Sequence, residues 1–479
     1  MTTTQPETPP PNDEVLASEP NRRPPGFAAL LRRLHFYAGV FIGPFILIAA
    51  VTGLLYALIP QIDTVVHREQ LTVDRVGDQR LPLADQLAAA RLAYPEGAVE
   101  SIRPPAAPDE TTWVTLAVDD VPPDYARTVF VDPYSGEVRG ALTTYGQWLP
   151  VRAWFDELHR NLHLDAVGRH YSELAASWLW ITALAGLWLW IGHRRQTGSW
   201  RRIAVPDRTG RGRRRTRSWH AAIGVWILVG LLGLSVTGIT WSRYGGASID
   251  AVQQALHTTA PAVDTTLTAN GPAPAAGAHS HHGESVSAGV DFLNGADHAL
   301  HAAHGAGLTE PMWMYPPGNS AEGWLVAENK RDWPTRNDAI SVDPDTGAIT
   351  DRVDFAQWPF LAKLTRWSID THMGILFGVP NQIVLALTAI GLIFLIIHGY
   401  RMWWQRRPTR GSAWSAGRPP LRGAIRSLSP VAAVALVVAA AAVGWFLPLF
   451  GLSLLAFVVV DAIIGVVKRN RRAQPAAAD

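Results

Sequence analysis

The chain has 479 residues, 48% of them hydrophobic and 17% charged, with a formal net charge of +2 and no cysteine. The absence of thiols excludes disulfides, thiolate-bound metal clusters, thiol nucleophiles and cofactor attachment through Cys-x-x-Cys-His. No Gly-rich phosphate loop, dinucleotide fingerprint or Gly-x-Ser-x-Gly elbow follows a plausible strand, and no nucleic-acid partner is expected.

The balanced charge hides a strong asymmetry. Lys and Arg cluster in four places: four before His35, ten from Arg194 to Arg217, seven from Arg401 to Arg426 and four from Lys468 to Arg472. These basic segments read as cytoplasmic. The stretches near 60–158 and 242–373 carry 16 acids against 8 bases and 15 against 7, and read as external.

In chain order, residues 1–26 are proline-rich without an apolar run, and read as a disordered cytoplasmic tail. The first span occupies 27–60 and an outer module 61–158, followed by an amphipathic segment and second span over 159–193. A basic loop (194–219) leads to a third span (220–241), then to a His-rich linker and second outer module (242–371). The fourth span (372–400), a basic loop (401–428), a terminal helical hairpin (429–467) and a cytoplasmic tail (468–479) complete the chain. At about 20 apolar residues per crossing, the expected fold is a polytopic α-helical membrane protein. It has about six spans, as a duplicated two-span unit plus the hairpin, with both termini cytoplasmic.

Within each outer module the pattern predicts a β-hairpin, Thr128–Val138 through Val131-Asp132-Pro133 and Ala339–Ile349 through Val342-Asp343-Pro344. With a helical stretch near 82–94 and a strand at 113–118, each module reads as a small α+β unit.

The first and third spans share a tag. His35, Gly39, Thr52 and Gly53 recur as His220, Gly224, Thr237 and Gly238, with the same spacing. Histidines repeated at the membrane edge on duplicated helices suit the holding of a haem iron from both sides. His35 and His220 therefore form a candidate inner pair. His193 and His398 end apolar spans, each seven positions after a glycine, and compete for that role. On the outer side His163 and His372 precede the second and fourth spans, with His159 and His170 as alternatives to His163. The expected cofactor is non-covalent haem b, two groups per chain.

His298, His301 and His304 at three-residue steps are candidate ligands for Zn, Cu or ferric iron. His279, His281 and His282 lie in a Pro/Ala/Gly-rich linker. Asp461, two turns inside the last span, calls for an arginine partner or for quinol or proton chemistry. The Gly residues of the spans suit close helix packing, and most of the 20 tryptophans suit an interfacial belt.

His35-Phe36-Tyr37-Ala38-Gly39, the Val-Asp-Pro-x-Ser/Thr-Gly hairpins, Leu158-His159-Arg160-Asn161-Leu162-His163 and His372-Met373-Gly374 through Gly378, then Asn381-Gln382, together resemble the PepSY-associated transmembrane proteins. The resemblance covers roughly residues 27–470. It implies two extracytoplasmic PepSY-like modules on a cell-membrane (inner or plasma membrane) protein. It also implies, for some members, haem-dependent reduction of ferric siderophores in iron uptake. The corresponding partners are a ferric siderophore or other ferric chelate outside, a quinol or cytoplasmic reductase as electron donor, and membrane lipid. A non-redox PepSY binding or inhibitory protein and a metal-handling transporter are the alternative readings.

Overall fold

The computed structural model describes residues 26–198, 200–267, 292–406 and 424–473. The expected N-terminal tail, His279, His281 and His282 lie outside them. The helices are α1 (Gly26–Phe41), α2 (Gly43–Ala57), α3 (Ile59–Val66), α4 (Arg68–Leu71), α5 (Leu83–Ala93), α6 (Pro150–Asn161), α7 (Asp165–Gln196), α8 (Gly212–Trp226), α9 (Leu228–Thr240) and α10 (Arg243–Ala255). They continue with α11 (Phe292–Gly305), α12 (Phe360–His372), α13 (Gly378–Trp404), α14 (Pro430–Phe446) and α15 (Pro448–Ala473).

Among the described residues three helices are long and apolar enough to cross a membrane: α7, α13 and residues 448–467 of α15. The number rises to five if each of two bent pairs is one span, α1 with α2 (58°) and α8 with α9 (62°). The first and third spans are thus broken. At Ile42 the cause is local, because Pro44 at the start of α2 lacks the N–H that would continue the helical ladder. No proline marks the second break, at Ile227. There α13 presses against the bend, and a Cβ on Gly391 would come within 3.0 Å of the Ile227 side chain.

The halves interlock. α7 packs on α1 and α2 of its own half and on α9 of the other, while α13 packs on α8 and crosses to α2. Ala38, Ile46, Trp178, Leu231 and Leu392 share the resulting core. α14 and α15 form a hairpin through the single residue Leu447, its helices meeting where Gly444 and Gly451 leave no room for a Cβ. The hairpin is tied to the bundle at two points on α15. Trp178 Nε1 donates to Ser453 Oγ (2.9 Å), and Asp461 pairs with Arg33. That pairing answers the expectation for Asp461, since an unpartnered aspartate at the middle of a membrane helix costs on the order of 3 kcal/mol.

The two expected outer modules form one sheet. Its strands are β1 (Ala98–Arg103), β2 (Thr112–Ala117), β3 (Ala126–Val131), β4 (Val138–Thr144), β5 (Met312–Tyr315), β6 (Trp324–Glu328), β7 (Ala339–Val342) and β8 (Ile349–Val353), in the order β4-β3-β2-β1-β5-β6-β7-β8. All pairings are antiparallel, and the halves join where Ile102 faces Met314. Edge-strand pairing buries the open edges that separate four-stranded units would present, a tertiary gain that each hairpin's own sequence does not announce.

Both Asp-Pro hairpins form. Asp132 Oδ1 accepts from the amides of Tyr134 and Ser135, and Asp343 Oδ1 from those of Asp345 and Thr346. Gly136 and Gly347 take φ of +73° and +68°, which favour glycine. One sheet face carries α5 and α11, with Leu87 of α5 in one core with Ile102, Val114, Met314 and Val326. Asp297 of the second half accepts from Leu83 N (2.7 Å) and Ala84 N (3.0 Å) at the start of α5, so a carboxylate from one half satisfies the helix N-terminus of the other. The opposite face, with Trp113, Phe130 and Trp313, packs with Leu149 at the start of α6.

Candidate functional site

Two pairs of histidines face one another, each pair taking one residue from each half. His35 on α1 and His220 on α8 have ring centres 6.2 Å apart with planes at 80°. Each is held by a carbonyl on the long helix of its own half: His35 Nδ1 by Thr182 O and His220 Nδ1 by Leu395 O, both at 2.9 Å. A Cβ on Gly186 would stand 2.9 Å from His35 Cε1 and one on Gly399 3.9 Å from His220 Cε1. Glycine at 186 is therefore what lets α7 lie against the imidazole.

The second pair is His159 on α6 and His372 at the end of α12, with ring centres 6.4 Å apart and planes at 41°. Here the Nδ1 partners are hydroxyls: Thr52 Oγ1 for His159 (2.9 Å) and Thr237 Oγ1 for His372 (2.5 Å). Each threonine donates its own proton to the carbonyl four residues back, Ile48 O or Gly233 O, both at 2.8 Å. The hydroxyl is thereby oriented to accept from the ring. A Cβ on Gly53 would reach 3.0 Å from His159 Cε1. The duplicated Thr-Gly tag thus serves this pair, with Thr as the orienting acceptor and, in the first half, Gly as the space for the ring.

α6 and α12 lie outside the apolar spans. Burial pushes His159 down to about 4, and burial together with the His159 ring pushes His372 down to about 3. Both are therefore neutral near pH 7. In all four histidines Nδ1 is engaged, so Nε2 is the nitrogen left to bind a metal, and among the described residues it has no hydrogen-bond partner. An Nδ1–H hydrogen bond that fixes tautomer and ring orientation is the usual outer shell of a metal-binding imidazole.

His163, expected opposite His372, stands elsewhere. α6 ends at Asn161, so His163 lies past the helix end, where the spacing that would align it with His159 no longer applies. Its φ is +54°, its Nδ1 lies 3.2 Å from Glu157, and its ring lies 4.8 Å from Trp154. Gly168 permits this tight junction, since a Cβ there would overlap Asn161 O. The replacement was legible in one signal: His159 precedes Gly186 by the same number of positions as His372 precedes Gly399.

The other candidates are also dispersed. His193 Nε2 accepts from Arg217 Nη2 at 3.1 Å, and His398 stacks on Phe394 with ring centres 3.6 Å apart. Neither belongs to a facing pair among the described residues. His170 bonds Val167 O and Tyr244. On α11, His304 Nε2 lies 2.7 Å from Glu310. Among the described residues no three His, Asp or Glu side chains converge on a metal position, His298, His301 and His304 included.

Beyond the His159–His372 pair, between the sheet and α3 and α6, lies a cleft of about 270 Å³ lined by Asp63, Arg103, Trp113, Trp148, Arg152 and Trp313. Its lining sets Arg103 and Arg152 beside Asp63 among aromatic rings, with Arg331 next to it. Arg152 lies 3.8 Å over the Trp148 ring, Arg331 5.0 Å from the same ring, and Arg103 4.6 Å over Trp113. Arg152 Nε also donates to Tyr56 Oη (3.1 Å), one turn from Thr52, and so links the cleft to the histidine below.

In comparisons with known proteins, the family described as the PepSY-associated TM region matches residues 32–406. No curated protein matches the chain.

Proposed function

The chain belongs to the PepSY-associated transmembrane family, and from that premise we propose that it is a haem protein of the cell membrane that reduces ferric iron, as a siderophore or other chelate, on the outer side. The observation that carries the reading is the spacing of the two histidine pairs. The facing rings stand 6.2 and 6.4 Å apart between centres with Nδ1 engaged in each, so the Nε2 atoms of His35 with His220, and of His159 with His372, would be the groups to hold a haem iron. The residues present therefore fit two bis-histidine haem sites, held without covalent attachment because the chain has no cysteine.

When bound, haem supplies one-electron redox chemistry at each pair. The protein's residues do the rest. The carbonyls of Thr182 and Leu395 and the hydroxyls of Thr52 and Thr237 keep Nε2 aimed between the rings and make it more basic. Burial of His159 and His372 excludes water and protons that would compete for the lone pair. The arginines of the cleft favour a negatively charged chelate on that side.

With the basic segments in the cytoplasm, α14 counted as a sixth span, and both termini inside, the sheet and the cleft face outward. The donor is then a quinol or a cytoplasmic reductase. A quinol gives up two electrons and two protons and reduces two ferric ions to ferrous, weakening the hold of hard oxygen donors on the metal.

The test is anaerobic. Purified protein should show a Soret band, yield two haems per chain to acidified organic solvent and, after dithionite reduction, be reoxidised by a ferric chelate while a ferrous chelator traps the product. Absence of the band, or haem that stays reduced with several ferric siderophores present, sinks the proposal. Reporters fused after Asp132 or Asp343 should read as external and one after Arg211 as cytoplasmic.

A further inference from the structure

At the end of the bundle away from the sheet, several arginines converge without acidic partners among the described residues. Arg32 lies one turn before His35 and Arg217 one turn before His220, so the duplicated helices repeat an Arg-x-x-His spacing. Residues three apart share a helix face, and side chains lean toward the helix N-terminus. Each arginine therefore borders the inner pair on its outward edge.

The second half's arginine is half-buried and anchored. Arg217 donates to His193 Nε2 at 3.1 Å and stands within electrostatic reach of Arg32, Arg194, Arg213 and Arg214. Arg406, at the end of α13, lies 5.6 Å from the Phe36 ring and is held below its ordinary range by burial and by Arg213, Arg32 and Arg217. Among the described residues none of Arg32, Arg213, Arg217 and Arg406 forms a salt bridge, whereas neighbouring Arg33 has Asp461 and Arg214 has Asp207. A solvated cytoplasmic fringe would spread such charges apart. Arg217 and Arg406 are partly buried beside the exposed Arg32 and Arg213, and cations held together in this way, two of them at a pseudo-symmetric position, call for an anion between them.

We propose that Arg32 and Arg217, backed by Arg406, hold an anionic oxygen group at the inner pair, and that this group is the pair of propionate carboxylates of the cofactor bound by His35 and His220. The assignment rests on the haem reading above. It gives His193 a role as the side chain that orients Arg217 rather than as an iron ligand. A phospholipid headgroup carries the same oxygen chemistry and is the competing source of the anion.

The test is a titration of full-length protein, produced without haem, with haem b or with its dimethyl ester, in wild type, in Arg32→Gln/Arg217→Gln and in Arg215→Gln as an exposed control on the same helix. Wild type and control should prefer the free acid at one of two sites by about tenfold or more, as charge-assisted hydrogen bonds imply. The double variant should take both forms alike there. In protein purified with haem, the double variant should lower one of two midpoint potentials and leave the other, because removing positive charge favours ferric iron.

A preference that survives in the double variant, or is absent from wild type, overturns the proposal. If that preference survives while co-purifying anionic phospholipid falls, the headgroup is the anion. A wild-type protein with no Soret band under any condition fails the haem reading itself, a result distinct from a haem protein indifferent to its propionates.

Discussion

The inner and outer histidine pairs come from the same duplication and have nearly equal ring separations, 6.2 and 6.4 Å, yet they are held by different chemistry. Inner rings bond main-chain carbonyls of α7 and α13; outer rings bond threonine hydroxyls of α2 and α9. A carbonyl is a strong acceptor that no substitution removes, so the inner orientation depends on how the helices pack. A hydroxyl is a weaker acceptor on a replaceable side chain, so the outer pair can be tuned one residue at a time. The inner pair sits on the bent spans, whereas the outer pair sits on helices that adjoin the sheet and so connects the membrane part to the cleft.

The largest effect should come from the histidines proposed to hold haem. His35→Ala or His220→Ala should remove one haem equivalent and leave the other, while His159→Ala or His372→Ala should do the reverse. His163→Ala should change neither absorbance nor haem content. Loss of the outer haem in His163→Ala, with His159→Ala silent, would reverse the pairing argued from the structure.

Glycine substitutions sharpen the contrast within the inner pair. Gly186→Ala places a Cβ 2.9 Å from the His35 ring and should displace it, lowering inner haem content several-fold. Gly399→Ala leaves 3.9 Å to the His220 ring and should be nearly silent. Equal losses in both variants would mean that packing around the rings is not what positions them.

Thr52→Val and Thr237→Val conserve shape and delete the acceptor. Each should weaken outer haem retention by about 10- to 100-fold and raise the outer potential, because a less basic imidazole favours ferric iron less. The inner potential is the internal control, and a matching shift there would deny the separation between the two shells.

The smallest effect is in acid. His159 and His372 ordinarily titrate at 6.5, but burial holds them to about 4 and about 3 in the folded chain. Below pH 6.5 the unfolded chain binds these protons and the folded chain does not, so their contribution is fully present above that pH. It is lost progressively as pH falls toward 4 and then 3. Thermal unfolding of the haem-free chain should show the slope, and His372→Asn should flatten it. Identical slopes in the two proteins would mean that His372 is not buried as the structure has it.

Particular residues show where sequence reading reached its limit. Period-two alternation around Asp132 and Asp343 dictated both hairpins, because Asp-Pro-x-x-Gly turns are local chemistry. That the hairpins join in one eight-stranded sheet was not legible, since the contact of Ile102 with Met314 depends on two strand edges more than 200 residues apart. His35 and His220 could be matched by spacing alone. His163 misled because its alignment with His159 assumed a helix that ends at Asn161.

By itself, the sequence determined a multi-pass membrane protein with duplicated halves, a chain without thiols and a repeated His-to-Thr-Gly spacing, because hydropathy, composition and repeats are carried by local residue order. Only the tertiary structure decided which imidazoles face each other, that Asp461 finds Arg33, and that the threonines of both tags and Gly53 of the first serve the outer rings. Those outcomes depend on how α7 and α13 cross between the halves and on where α6 stops. A pairing distance of 6 Å is set by the packing of helices far apart in the chain, and no local pattern of residues encodes it.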